Sequence, residues 1–157
     1  MLEIESEPQP ATNLILLVDD SKDDSLLLKH EFARAGLANP LFFLSSGAEA
    51  VAYLAGQGKF KDRSMYPMPS VLLLDLKMPG MDGFDVLSWI AKRPELRRLL
   101  IVVLSGSADV KQVTRAYELG ANSYLTKPTN PYDLANLANF FRGYWTISNR
   151  SPRLAES

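Results

Sequence analysis

Cysteine is absent from the 157 residues, and histidine occurs once. Disulfides, thiolate metal sites and cysteine nucleophiles are therefore excluded, and a reducing cytoplasm is compatible with the composition. An excess of one charge is also lacking: 17 Lys and Arg stand against 18 Asp and Glu, a formal net charge of −1. That balance gives no global attraction to nucleic acid or to an anionic membrane, so neither is expected as a partner. No apolar run approaches the roughly 18 residues that would suggest a membrane span. Residues 1–12 are acidic and carry prolines, without the basic start and apolar stretch of a signal peptide, and are expected to form a flexible tail. A soluble, cytoplasmic protein is the expectation.

What is present is a repeating pattern of short apolar runs: Leu14 to Val18, Leu41 to Leu44, Val71 to Leu74, Leu99 to Leu104, and Ser123 to Thr126. Most lack polar alternation, as strands do when a parallel sheet is covered by helices on both faces. The intervening segments carry apolar residues at helical spacing. Leu28, Phe32 and Ala35 share one face, as do Ala50, Val51 and Leu54, and Val86, Leu87 and Ile90. Val110, Val113 and Tyr117 repeat the pattern, followed by Leu134, Leu137, Phe141 and Trp145. Ser46-Gly-Ala-Glu49 reads as a capping box, and Asn130-Pro131 as an N-cap with a first-turn proline. Residues Gly56 to Ser70 are long for a connector and are expected to extend the second helix before looping. Phe140, Phe141, Tyr144 and Trp145 exceed what one helix face buries, which leaves some for dimerisation or partner docking.

Five strands alternating with five helices predict an α/β domain, a doubly wound five-stranded parallel sheet over residues 13–148. Residues 149–157 are too few for an output domain and are expected to be a C-terminal tail. Ligands of such sheets bind beyond the carboxyl ends of the strands. Those ends carry Asp19 and Asp20, Asp75, Ser105, and Thr126-Lys127-Pro128.

Three carboxylates converging on one sheet edge need neutralisation. Two bare charges at ~4 Å cost about 4 kcal/mol at an effective dielectric near 20. Lys127 supplies one positive charge, and a divalent cation completes the balance. With oxygen ligands, no cysteine, and His30 placed on the first helix, Mg²⁺ or Mn²⁺ fits better than zinc. The plainer reading of Asp19-Asp20 is helix capping, and of Asp75 a turn former. Each loses ground because the matching carboxylates lie far apart in sequence. A carboxylate attacks phosphorus when the charges of both partners are offset, and the transferred oxygens then need stabilising groups. Lys127, and the Ser105 hydroxyl with amides near Gly106, are the candidates. Tyr124 sits where an aromatic ordinarily means core packing.

Asp19-Asp20, the segment DLKMPGMDG beginning at Asp75, Ser105-Gly106, Tyr124 and Lys127-Pro128 stand in the order and spacing of two-component response-regulator receivers, which the chain resembles over residues 13 to 148. The resemblance implies a flavodoxin-like strand order 2-1-3-4-5, with Asp75 as the phosphoacceptor. Asp20 is then a direct Mg²⁺ ligand, Asp19 an outer-shell one, and Lys77 contributes its backbone carbonyl. Ser105 and Tyr124 correspond to the switch pair, and Lys127 contacts the phosphoryl group and precedes a cis proline bond.

The long segment before the third strand, the motif AYELGANSYLTKP and the ending FRGYWTI are similar to stand-alone receivers that serve bacteriophytochrome-type histidine kinases. The implied partners are such a sensor kinase, a downstream protein and a second copy in a homodimer. The implied activity is limited to the protein's own phosphorylation and dephosphorylation. Lys77 and Ser107 occupy positions that tune phosphoaspartate hydrolysis in this family, and neither is suited to orient water. A haloacid-dehalogenase-type phosphatase expects a second Asp where Lys77 stands. A flavodoxin-like FMN module needs a hydroxyl- and glycine-rich phosphate loop where Asp19-Asp20 would repel phosphate.

Overall fold

In the computed structural model of the chain, described for residues 13–127, 132 and 135–143, the five apolar runs pair into one parallel sheet of order β2-β1-β3-β4-β5. The strands are β1 (Ile15–Val18), β2 (Leu41–Leu44), β3 (Val71–Asp75), β4 (Leu100–Ser105) and β5 (Ser123–Thr126). Between them run α1 (Lys22–Arg34), α2 (Gly47–Ala55), α3 (Gly83–Ala91) and α4 (Val110–Glu118), and α5 follows over residues 135–143. The expected N-cap at Asn130-Pro131, the proline bond at Pro128, both tails, and Leu134, Tyr144 and Trp145 lie outside the described residues.

Strand periodicity divides the core in two. Leu16, Val18, Leu72, Leu74, Ile101 and Val103 face one side, packing with Ala50, Leu54, Val86, Leu87 and Ile90. Ile15, Leu17, Leu73, Val102 and Leu104 face the other, against Leu28 and Phe32 of α1 and Leu137 and Phe141 of α5. Both faces of the central strands are thus covered, which is why their sequences do not alternate.

Two expectations are corrected. The segment 56–70 does not extend α2: Gly56 takes a left-handed conformation (φ 68°) that ends the helix, a 3-10 turn follows at Gly58–Phe60, and the rest is loop. The Arg63 guanidinium then caps the end of α2, donating to the carbonyls of Tyr53 (2.8 Å), Leu54 (2.9 Å) and Tyr66 (3.1 Å). Phe42, Tyr53, Phe60 and Tyr66 stack beside it, with ring centroids 5.0–6.4 Å apart. At the start of α2, Ser46 accepts from the Glu49 amide, but the Glu49 carboxylate reaches past the cap to the amide and hydroxyl of Ser45. The reciprocal capping box occurs instead at α3, between Asp82 and Asp85. Helix α4 forms where the spacing predicts it, with its apolar stripe largely outward. Val110 and Tyr117 are exposed, Val113 is half-buried, and Ala116 is the residue the helix buries.

Candidate functional site

Parallel register places the polar residues. Val18 pairs with Leu74 of β3, so the next step brings Asp19 level with Asp75 at the carboxyl edge. Asp75 pairs with Leu104 and Ser105 with Thr126, which sets Ser105 and Lys127 at the same edge. The Lys127 amide donates to the Ser105 carbonyl (2.6 Å), tying the two loops together.

Carboxylate oxygens of Asp19, Asp20 and Asp75 lie within 4.8 Å of one another, with Asp19 and Asp75 buried and Asp20 exposed. The Lys127 ammonium enters this group, 2.6 Å from Asp19 Oδ2, 3.1 Å from Asp24 Oδ2 and 3.7 Å from Asp75 Oδ2. Burial, reinforced by the charge of Asp19 and opposed by Lys127 and the Lys77 amide, pushes the Asp75 carboxyl up to about 6. Burial also works against the Lys127 ammonium, but Asp19, Asp75 and Asp24 together outweigh it and hold its pKa above the ordinary lysine value. One ammonium among four carboxylates leaves negative charge uncompensated. Clustered oxygen donors with one exposed member fit a hard divalent cation, for which Asp19, Asp20 and Asp75 are the available side chains.

The other candidate site residues, Ser105, Tyr124 and Lys77, lie at or beside this edge. Ser105 is fully buried, and its hydroxyl accepts from the Ser107 amide (3.2 Å). Tyr124 is half-buried, and its hydroxyl donates to the Ser107 carbonyl (2.5 Å), linking the aromatic ring to the β4–α4 loop. Lys77 turns its amide toward Asp75 and leaves its side chain exposed.

Asp24 was not anticipated. Ser21-Lys-Asp-Asp24 has the spacing of a helix cap, and Ser21 does cap α1 by accepting from the Asp24 amide (3.2 Å). That plain role conceals the contact with Lys127, for which the local sequence holds no signal.

Comparison with known proteins agrees with this geometry. The family model for the response regulator receiver domain matches residues 15–139. Response regulator Rcp1 of Synechocystis sp. is 38% identical over 140 residues, covering 89% of this chain and 93% of that protein. Its Mn²⁺-bound crystal structure superposes with a TM-score of 0.72 at 38% identity, covering 85% of this chain and 94% of the other. The phosphorylated cyanobacterial phytochrome response regulator RcpA gives a TM-score of 0.75 at 32% identity, with 88% and 96% covered. The bacteriophytochrome response regulator AtBRR gives 0.70 at 34% identity, with 85% and 94% covered.

Proposed function

The chain belongs to the response-regulator receiver family, and from that membership we propose that Asp75 takes a phosphoryl group from a sensor histidine kinase and so switches a protein-binding surface. The observation that carries the reading is the buried Asp75 carboxylate, within reach of both Lys127 and two further carboxylates at the sheet edge. The phosphatase and FMN-module readings fall away with the family membership.

In the transfer, an Asp75 oxygen forms the new bond to phosphorus as the kinase's phosphohistidine P–N bond breaks. The imidazole leaves with that electron pair and takes up a proton. Lys127 and the Ser105 hydroxyl, with the amides after Ser105, receive the phosphoryl oxygens. Asp19, Asp20, Asp75 and the Lys77 carbonyl would hold Mg²⁺, or Mn²⁺ as in the Rcp1 structure. The bound cation offsets the negative charge of both nucleophile and phosphate.

Drawing the Ser105 hydroxyl to the phosphoryl group takes it from the Ser107 amide, and the same loop carries the carbonyl that Tyr124 holds. Phosphorylation is thereby coupled to the ring of Tyr124 and to the surface of α4, β5 and α5. Exposed Val110, Tyr117 and Phe140 lie on these last two helices and offer apolar contacts for a downstream protein or for a homodimer. The likeness to phytochrome and bacteriophytochrome response regulators supports a bacteriophytochrome-type kinase as the phosphodonor.

Labelling with acetyl phosphate tests the assignment. Wild-type protein takes up one phosphoryl group in Mg²⁺, a chelator abolishes uptake, and Asp75→Asn takes up none. Persistent Mg²⁺-dependent labelling of Asp75→Asn removes Asp75 as the acceptor.

A further inference from the structure

A carboxylate outside the family's motif contacts the lysine of the site. Asp24 Oδ2 lies 3.1 Å from the Lys127 ammonium, nearer than the Asp75 oxygen at 3.7 Å. Its availability has a local cause. Asp24 occupies the third position of α1, whose side chain ordinarily reaches back to the capping residue's amide. In α3 the equivalent Asp85 does so, bonding the Asp82 amide at 3.0 Å. In α1 the Ser21 amide is already taken by Asp19 Oδ1 at 2.9 Å, so the Asp24 carboxylate is released and turns to Lys127.

The two carboxylates closest to the ammonium differ in burial. The Asp19 side chain is 1% exposed and that of Asp24 is 46% exposed. Releasing Lys127 would leave the buried Asp19 carboxylate without its cation, bonded only to the Ser21 amide, whereas water can resolvate Asp24 at once. Asp24 is the contact that yields first.

We propose, resting on the assignment of Asp75 as phosphoacceptor, that Asp24 is a positioning residue that holds the Lys127 ammonium back from Asp75 until a phosphoryl group draws it across. The arriving phosphoryl oxygens carry more negative charge than a single carboxylate and compete for the same ammonium. Transfer itself is unaltered: the Asp75 oxygen bonds phosphorus while the donor's P–O bond breaks and acetate leaves with the electron pair. Asp24 sets how much of the Lys127 interaction is given up beforehand.

The test compares acetyl phosphate labelling rates of Asp24→Asn, Asp24→Glu and Asp23→Asn with wild type in Mg²⁺, at low and high salt. Asp23 lies in the same helical turn, and among the described residues no ion pair joins it to Lys127, so its substitution removes equal charge without touching the lysine. Asp24→Asn is expected to label about two- to fivefold faster, the rate equivalent of a partly solvated ion pair. The gain should persist at high salt because it arises from contact rather than long-range attraction. Asp24→Glu should return toward the wild-type rate, and Asp23→Asn should match it. A crystal structure of Asp24→Asn should show Lys127 Nζ in direct contact with Asp75.

Equal rates for Asp24→Asn and Asp23→Asn, or slower labelling by Asp24→Asn, overturn the proposal while leaving Asp75 as acceptor. Failure of wild type itself to label overturns the Asp75 assignment. In that case the position of Lys127 in the Asp24→Asn crystal structure still decides the positioning role, an unmoved ammonium refuting it.

Discussion

A β-carbon placed on Gly83 would stand 2.5 Å from the backbone carbonyl oxygen of Asp75, and 2.7 Å from the Cα of Leu76. The first residue of α3 therefore packs directly on the backbone that presents the Asp75 carboxylate, and the Gly83 amide bonds the Leu76 carbonyl at 2.9 Å. Alanine ordinarily favours a helix over glycine by about 1 kcal/mol. Here that gain is overwhelmed by overlap with main-chain atoms. Gly83→Ala should lose about 2–4 kcal/mol of stability, a fall in Tm of roughly 5–15 °C. Thermal denaturation checks the first effect. Acetyl phosphate labelling should fall by more than the loss of folded protein, because Asp75 itself is displaced; a variant as stable and as readily labelled as wild type would refute the packing argument.

Asp75 should make the metal-free protein more stable in mild acid. Its carboxyl is raised to about 6 in the fold from an ordinary value of 3.8. As pH falls through about 6, the folded form takes up a proton that the unfolded chain does not bind until near pH 4. Stability from this group therefore rises on acidification across that window, by up to about 3 kcal/mol. Above pH 6 the buried charge is a liability in full. Asp75→Asn should accordingly be more stable than wild type at pH 7 in chelator, by an amount on the order of 2 kcal/mol, with the difference shrinking toward pH 4. Urea denaturation at the two pH values measures it. A variant less stable than wild type at pH 7 contradicts the charge argument.

Arg63 fastens the 56–70 segment to α2 through three carbonyls. Arg63→Ala leaves those acceptors short of a charged donor and should lower stability by about 1–3 kcal/mol. The three carbonyls that Arg63 holds belong to α2 and to the segment itself rather than to the carboxyl-edge site, so the acetyl phosphate labelling rate per folded molecule should not change. Protease sensitivity should rise within residues 56–70 first; cleavage beginning elsewhere, with stability unaltered, argues against the fastening role.

Phosphorylated protein should decay slowly. The Ser107 hydroxyl already accepts from the Asp109 amide, and Ser107 carries neither the carboxylate nor the carboxamide suited to orient an attacking water. The exposed Lys77 side chain has no acceptor with which to orient an attacking water. A phosphoryl half-life of minutes or longer in Mg²⁺ is expected, shortened several-fold by Lys77→Asn. Decay within seconds in the purified wild type would show that another group activates the water.

The sheet was legible because its central strands are buried on both sides, and unbroken apolar runs report that directly. The site residues were legible because parallel topology places whatever follows each strand at one edge, so Asp19, Asp75, Ser105 and Lys127 needed only the strand assignment. Asp24 was not, since its contact with Lys127 depends on Asp19 taking the Ser21 amide, a competition settled in three dimensions. The Arg63 cap was hidden for a similar reason: its acceptors at Tyr53, Leu54 and Tyr66 come together only after the chain turns at Gly56. The stripe of Val110, Val113 and Tyr117 announced the helix but not its exposure, because periodicity reports that a helix has an apolar face without saying what covers it.

That uncovered stripe bears on how little free energy a signal must carry. Helix α3 is anchored by Phe84, Val86, Leu87 and Ile90, whereas α4 has Ala116 as its buried residue. Opening or reorienting α4 forfeits far less burial than disturbing α3, so its alternative placements lie close in energy to the resting one. A modification shifts such an equilibrium only by the difference in its interaction with the two placements. Beside a shallowly held helix, the few bonds exchanged around one phosphoryl group are enough to change which placement dominates, while the deeply packed half of the domain keeps its shape.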